Sequence, residues 1–206
     1  MNSVERMYAV WQSVRHICRH GVAGDIVECG VWRGGSSMAA ALTLLQEGAH
    51  DRRLWLYDTF EGMTEPSDQD ISVYGLRAVE RWDEIRSRRD DWVLAFASLA
   101  DVRRNMASTG ITADRLEYVC GPVEETIPGR VPERVAVLRL DTDWYASTRH
   151  ELEHLWDRLE PGGVLLLDDY GHWTGARKAV DEFFLDRGDA PLLVRIDYTG
   201  RVGIKR

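Results

Sequence analysis

Two stretches decide the fold: Leu165-Leu166-Leu167-Asp168-Asp169-Tyr170, and Val135-Ala136-Val137-Leu138-Arg139-Leu140-Asp141-Thr142-Asp143. Each is a short apolar run closed by acids. Unbroken apolar runs of this length are strands covered on both faces, as in a parallel sheet. Parallel strands release their acids together at the carboxyl edge, where open α/β sheets bind ligands. Four carboxylates at one edge repel each other, which favours raised pKa values or a bound cation, and all-oxygen donors suit Mg²⁺.

Working outward, further strands are predicted at Asp25–Gly30, Leu54–Asp58 and Leu116–Cys120, with helices between them. The apolar positions Met7, Val10, Trp11, Val14, Ile17 and Cys18 predict a helix from Ser3 to about His20, ended by Gly21. A second helix is predicted from Ser36 to Glu47 with Ser36 as its cap, and another from Ser147 to about Leu159 capped by Ser147. Ser98 with Asp101 resembles a capping box that opens a short helix to about Ser108. Pro161-Gly162-Gly163 reads as the turn into the last long strand, followed by a helix over Thr174–Arg187 and a closing hairpin around Thr199-Gly200-Arg201. Residues 59–91 read as a lid: a polar loop, then a partly exposed helix near Gly75–Arg88. Strands alternating with helices give a doubly wound, mostly parallel α/β sheet with a C-terminal antiparallel hairpin, in a single domain over 1–206 that starts with the helix in 1–21.

Composition narrows the function. At 44% hydrophobic and 29% charged the chain is ordinary for a globular domain, and its net charge of −8 leaves no basic excess for nucleic acid or an acidic membrane. The cysteines Cys18, Cys29 and Cys120 lack metal or disulfide spacing, so they are expected reduced and buried. No transmembrane run or signal pattern is read, so the expected location is cytoplasmic. A homo-oligomer, a dimer first, is the expected assembly.

Glu28-Cys29-Gly30-Val31-Trp32-Arg33-Gly34-Gly35-Ser36-Ser37 sits between the first strand and its helix, where glycines let a ligand approach backbone amides. Trp32 breaks the dinucleotide pattern Gly-x-Gly-x-x-Gly, so a ligand whose middle is not phosphate fits better, and S-adenosylmethionine is such a ligand. Asp58 ends the second strand, where a carboxylate accepts from ribose hydroxyls. Glu28 either meets the amino-acid end of that cofactor or holds the turn's amides. The plainer alternative makes Asp141 and Asp143 partners of Arg139 or helix caps, and Asp168 and Asp169 a cap for the helix after them. Trp144, Tyr145, His172 and Trp173 are candidate liners of an acceptor pocket, while Trp82 and Trp92 read as packing and Arg86–Arg89 as a solvated helix end.

These stretches, with Tyr57-Asp58-Thr59-Phe60-Glu61-Gly62-Met63, Asp141-Thr142-Asp143-Trp144-Tyr145 and Asp168-Asp169-Tyr170-Gly171, closely resemble the macrocin O-methyltransferase (TylF/MycF-type) family. The resemblance implies a class I, Rossmann-like fold with a seven-stranded sheet, and Mg²⁺-dependent transfer of a methyl group from S-adenosylmethionine to a hydroxyl on a (deoxy)sugar of a glycosylated natural product. It also implies Asp141, Asp168 and Asp169 as metal ligands and Asp143 as the general base. Glu28, Gly30, Trp32, Gly34, Ser36, Ser37 and Asp58 become cofactor contacts, with Tyr145, His172 and Trp173 on the acceptor side. Two rivals share parts of the pattern: a catechol-type O-methyltransferase, and a glycosyltransferase reading Asp141-Thr142-Asp143 as its Asp-x-Asp.

Overall fold

The computed structural model describes residues 3–85 and 95–206. Among these the elements are, in order, α1 (Val4–Arg19), β1 (Asp25–Cys29), α2 (Gly35–Gln46), β2 (Leu54–Asp58), α3 (Ala78–Ile85), α4 (Leu99–Ala107), β3 (Leu116–Cys120), α5 (Val123–Thr126), β4 (Val135–Leu140), α6 (Tyr145–Leu155), β5 (Leu159–Leu167), α7 (Thr174–Phe184), β6 (Val194–Arg195) and β7 (Arg201–Ile204). They form a seven-stranded sheet in the order β3-β2-β1-β4-β5-β7-β6. The strands from β3 to β5 are parallel neighbours, and β7 runs antiparallel to both β5 and β6. The direction of winding reverses between β1 and β4, which makes that junction the crevice for a ligand.

Side-chain alternation along the strands sorts the core into two layers. Ile26, Leu54, Leu56, Val137, Val164 and Leu166 face α1, α2 and α4, against Val14, Ile17, Ala41, Leu44 and Met106. Val27, Tyr57, Leu138, Leu165 and Leu167 face the opposite layer, against Ile127 and the α6–α7 residues Leu152, Leu155, Val180 and Phe183. The apolar runs of the sequence are therefore double-faced strands, as their composition predicts.

Helix boundaries differ from the sequence expectation at informative places. Ser36 is not a cap: left-handed Gly34 holds that position with no side-chain hydrogen bond, and Ser36 is buried in the first turn of α2. Ser147 is likewise inside α6, whose cap residue is Trp144. The amide of Tyr145 is met instead by Asp70 at 2.8 Å, a carboxylate 75 residues earlier in the chain. α6 ends at Leu155 and passes into a 3₁₀ turn, and α7 stops at Phe184, short of Arg187. Ser98 does cap α4, accepting from the Asp101 amide at 3.2 Å.

Pro161-Gly162-Gly163 lies inside β5 rather than before it. The pairing with β4 steps from Val135–Leu159 to Val137–Val164, so the Pro-Gly-Gly residues bulge where the ladder is broken, which is where a residue lacking an N–H is tolerated. Cys29 is buried and Cys18 half-buried, but Cys120 is exposed, because β3 is the sheet's edge strand. Of the lid, α3 begins at Ala78, later than Gly75, and Arg86–Arg89 and Trp92 lie outside the described residues. Its earlier part is stitched to the body: Trp144 Nε1 donates to Thr64 O at 2.9 Å, and Val73 N donates to His172 O at 2.8 Å.

One charge sits deep in this frame. Arg139, the lone ionic residue of β4, is only 4% exposed and lies beside Glu28 in register on β1. Its guanidinium donates to Glu28, whose other oxygen accepts from the Ser37 hydroxyl at the start of α2. A buried guanidinium is tolerated only when its donors are matched by acceptors.

Two stability outcomes are expected. Arg139→Leu leaves Glu28 buried without its counter-charge and should cost about 3–5 kcal/mol in urea unfolding, with part recovered by adding Glu28→Gln. Gly30 has φ +82°, and a Cβ there would fall 2.0 Å from the carbonyl oxygen of Asp141. Gly30→Ala should therefore cost roughly 3 kcal/mol in the same assay, from the left-handed backbone and the clash together.

Candidate active site

The parallel register sets Cys29, Leu140 and Leu167 side by side, so the residues that follow them leave the sheet at one height. The ladder continues one step further, with Asp141 N donating to Cys29 O at 2.8 Å and Asp168 N to Leu140 O at 2.9 Å. Asp141, Asp168 and Asp169 each bring a carboxylate oxygen to within 4.8 Å of the others. Three hard oxygen donors at that spacing fit a divalent cation such as Mg²⁺.

The same carboxylates are organised by two guanidinium groups. Arg139 reaches Asp141 at 2.8 Å and Asp168 at 2.7 Å, so the pairing foreseen between Asp141 and Arg139 is present. Arg6, from α1, donates to the second oxygen of Asp168 and to Asp197 at 2.9 Å. Burial disfavours the Asp168 anion, but Arg139 and Arg6 outweigh it and hold this carboxyl below the usual range. Asp141 and Asp169 go the other way, pushed well up by burial and then by their acidic neighbours, against Arg139. A divalent cation reverses that sign, because it favours each carboxylate as an anion.

Asp143 stands next to this group on a strained turn. Its φ is +66°, an uncommon conformation that aspartate tolerates better than most residues. The turn is held by Thr142, whose hydroxyl donates to the buried Glu151 at 2.9 Å and whose carbonyl accepts from Trp144 N at 2.8 Å. Asp143 N donates to Asp169 at 3.2 Å, and Asp143 Oδ1 accepts from the indole of Trp173 at 2.8 Å. Burial first, and then the nearby Asp141, push the Asp143 carboxyl up to about 7. A carboxylate poised there is matched to taking a proton near neutral pH.

At the glycine turn, Asp58 has a role beyond the one read from sequence. Its Oδ2 accepts from Val31 N at 2.7 Å and Trp32 N at 2.9 Å, and its Oδ1 from Phe60 N at 2.7 Å and more loosely from the Thr59 hydroxyl at 3.5 Å. Asp58, not Glu28, thus holds the turn's amides. Glu28 is buried beneath the turn between Ser37 and Arg139, where burial raises its pKa against the pull of Arg139. Gly30, Trp32, Gly34, Ser36 and Ser37 all belong to the turn and first turn of α2, above the β1–β4 crevice.

The acceptor-side candidates separate. Trp173 reaches Asp143, and Trp144 packs edge-on against it with ring centroids 5.0 Å apart. His172 meets the Tyr198 hydroxyl at 3.0 Å, and burial lowers its pKa. The Tyr145 ring runs along α7 instead, its hydroxyl donating to Glu182 at 2.8 Å two turns beyond the start of that helix. Asp168 and Asp169 do not cap α7 by side chain, since its cap residue, Trp173, carries no such bond.

Sequence reasoning missed Arg6, Asp70 and Asp197. Arg139 alone carried a signal, as one cation in an apolar strand. Arg6 and Asp197 meet across 191 positions and Asp70 meets Tyr145 across 75, so no local pattern marks them.

Comparison with known proteins gives the family. Residues 1–203 match the family model described as Macrocin-O-methyltransferase (TylF). The chain is 38% identical over 200 residues to the 8-demethyl-8-(2,3-dimethoxy-alpha-L-rhamnosyl)-tetracenomycin-C 4'-O-methyltransferase of Streptomyces olivaceus, covering 97% of this chain and 73% of that one. It is 34% identical to the mycinamicin III 3''-O-methyltransferase of Micromonospora griseorubida, covering 97% and 76%. Among solved structures it superposes on the O-methyltransferase NovP with a TM-score of 0.85 at 30% identity, covering 98% of this chain and 80% of that one. The chain therefore belongs to the macrocin O-methyltransferase (TylF) family and is an O-methyltransferase.

Proposed function

We propose that this enzyme transfers a methyl group from S-adenosylmethionine to a hydroxyl on a sugar of a glycosylated small molecule, with Mg²⁺ held by Asp141, Asp168 and Asp169. The observation that carries the reading is the meeting of those three carboxylates, within 4.8 Å, beside Asp143 at the carboxyl ends of β4 and β5, next to the strand β1 that carries the glycine turn. The names of the relatives, which act on rhamnosyl-tetracenomycin and mycinamicin, support a sugar acceptor over a catechol.

Methyl transfer to oxygen is an in-line displacement, and an aliphatic hydroxyl is a poor nucleophile until its proton is lost. When bound, Mg²⁺ supplies Lewis-acid stabilisation of negative charge on the acceptor oxygen and a template for two vicinal hydroxyls. Asp143 takes the hydroxyl proton. The indole N–H of Trp173 fixes Asp143 Oδ1, and the Asp143–Asp169 hydrogen bond ties the base to the ligand set. Arg139 and Arg6 keep Asp168 anionic and fixed in place. The glycine turn orients the cofactor: Asp58 braces its amides, and the loose 3.5 Å contact from Thr59 is the position a ribose hydroxyl would take over. Correct placement of the two reacting atoms supplies much of the acceleration.

Methyl transfer to a panel of sugar glycosides should stop on chelation and return with Mg²⁺, read as a gain of one methylene by mass. Asp169→Asn should lower turnover roughly 100-fold while calorimetry shows S-adenosylhomocysteine binding little changed. Undiminished activity in chelator, turnover of catechol alone, or binding of a nucleoside-diphosphate sugar without S-adenosylhomocysteine would each overturn the reading.

A further inference from the structure

Three aromatic side chains from three separate parts of the chain meet next to the Trp173–Asp143 hydrogen bond. Tyr74 comes from the turn before α3, His172 from the loop after β5, and Tyr198 from the turn between β6 and β7. The Tyr74 ring lies 6.2 Å from His172 and 6.4 Å from Tyr198, and His172 lies 5.9 Å from Tyr198. His172 also meets Trp173 edge-on at 4.9 Å. A run of rings therefore leads from the candidate base to the surface.

The cluster is held from behind. Val73 N donates to His172 O, Gly171 N donates to Thr199 O, each at 2.8 Å, and a β-bridge joins Ser72 to Trp173. The two tyrosine rings are open to solvent, Tyr74 79% exposed and Tyr198 42%, while His172 is half-buried, and Val73 and Leu76, next in the chain to Tyr74 and Gly75, are exposed as well. Contiguous apolar surface fixed by backbone hydrogen bonds and continuous with a polar site is the form of a ligand subsite.

We propose that Tyr74, His172 and Tyr198 form a stacking platform for the uncharged apolar body that carries the reacting sugar. The proposal rests on the acids being the sugar site, and it names what the rest of the acceptor must offer. An anionic carrier such as a nucleoside diphosphate is disfavoured, because the adjoining edge is rich in carboxylates. The cations beside Tyr198 are Arg177, Arg195 and Arg201, and each is engaged with a backbone carbonyl: Arg177 with Tyr170 at 3.0 Å, Arg195 with Asp197 at 2.7 Å and Arg201 with Gly200 at 2.8 Å. Flat or ring-shaped apolar groups, by contrast, stack on aromatic faces without a fixed hydrogen-bond pattern.

The test uses the full chain with S-adenosylhomocysteine and Mg²⁺. The 2-naphthyl and methyl α-L-rhamnosides are titrated by calorimetry, free 2-naphthol is followed by saturation-transfer NMR, and thymidine diphosphate is added as competitor. The naphthyl glycoside should bind about 10-fold more tightly than the methyl glycoside, and Tyr74→Ala or Tyr198→Ala should remove most of that advantage while S-adenosylhomocysteine affinity stays constant. Both tyrosines are exposed, so unchanged circular dichroism is expected and confirms an intact fold. If neither glycoside binds but 2-naphthol binds in a Tyr74-dependent way, the platform stands and the sugar reading falls. Equal affinity of the two glycosides, indifference to both substitutions, displacement by thymidine diphosphate, or failure of 2-naphthol and both glycosides to bind would overturn the platform.

Discussion

A guanidinium that cannot reach water must be surrounded by acceptors, and Arg139 meets that demand with Glu28, Asp141 and Asp168 from three adjacent strands. Desolvation works against its charge, and the three carboxylates outweigh it, holding Arg139 firmly cationic. The consequence reaches in two directions. Inward, Glu28 is tied through Ser37 to the start of α2, so the helix that opens the cofactor turn is anchored to the sheet. Outward, Asp141 and Asp168 are held in fixed orientations at the edge, which is what a metal site needs from its surroundings. Structural and candidate catalytic acids thus share one counter-ion.

The division of labour among the acids follows from where each meets a cation. Asp168 touches both Arg139 and Arg6, Asp141 touches Arg139, and the Asp143 carboxylate accepts from an indole N–H while its own backbone amide donates to Asp169. Carboxyl groups in one small volume are thereby pushed apart in proton affinity, from Asp168 at the low end to Asp143 near 7 and Asp141 and Asp169 above their usual range. Environments that separate equivalent groups in this way are how one site supplies both ligands and a base.

Much of this was legible in the chain because the relevant signals are local. Leu165–Leu167 and Val135–Leu140 can hardly be anything but double-faced strands, and acids directly after them must emerge at the same edge. The failures also have physical causes. Ser36 and Ser147 satisfy the chemistry of a cap, yet Gly34 reaches the left-handed backbone without strain and Asp70 supplies a carboxylate from a distant loop, so the local candidates were displaced. Pro161 reads as a turn until the β4–β5 register shows a bulge inside the strand. Asp58 reads from the sequence as a ribose acceptor, and what no local pattern shows is that three backbone amides also bond to it. Tyr74 and Tyr198 carry no mark at all, since their meaning comes only from the approach of three loops.

The contacts of Arg6 bear on how the molecule is made. This residue joins α1 to Asp168, 162 positions away, and to Asp197, 191 positions away. Loop closure over such distances is unfavourable until the intervening units have already formed. During synthesis the sheet from β1 to β4 can assemble while the acidic edge still lacks half its partners. The frame around the candidate site is therefore a late product of folding, complete only when α1 meets both the end of β5 and the turn between β6 and β7.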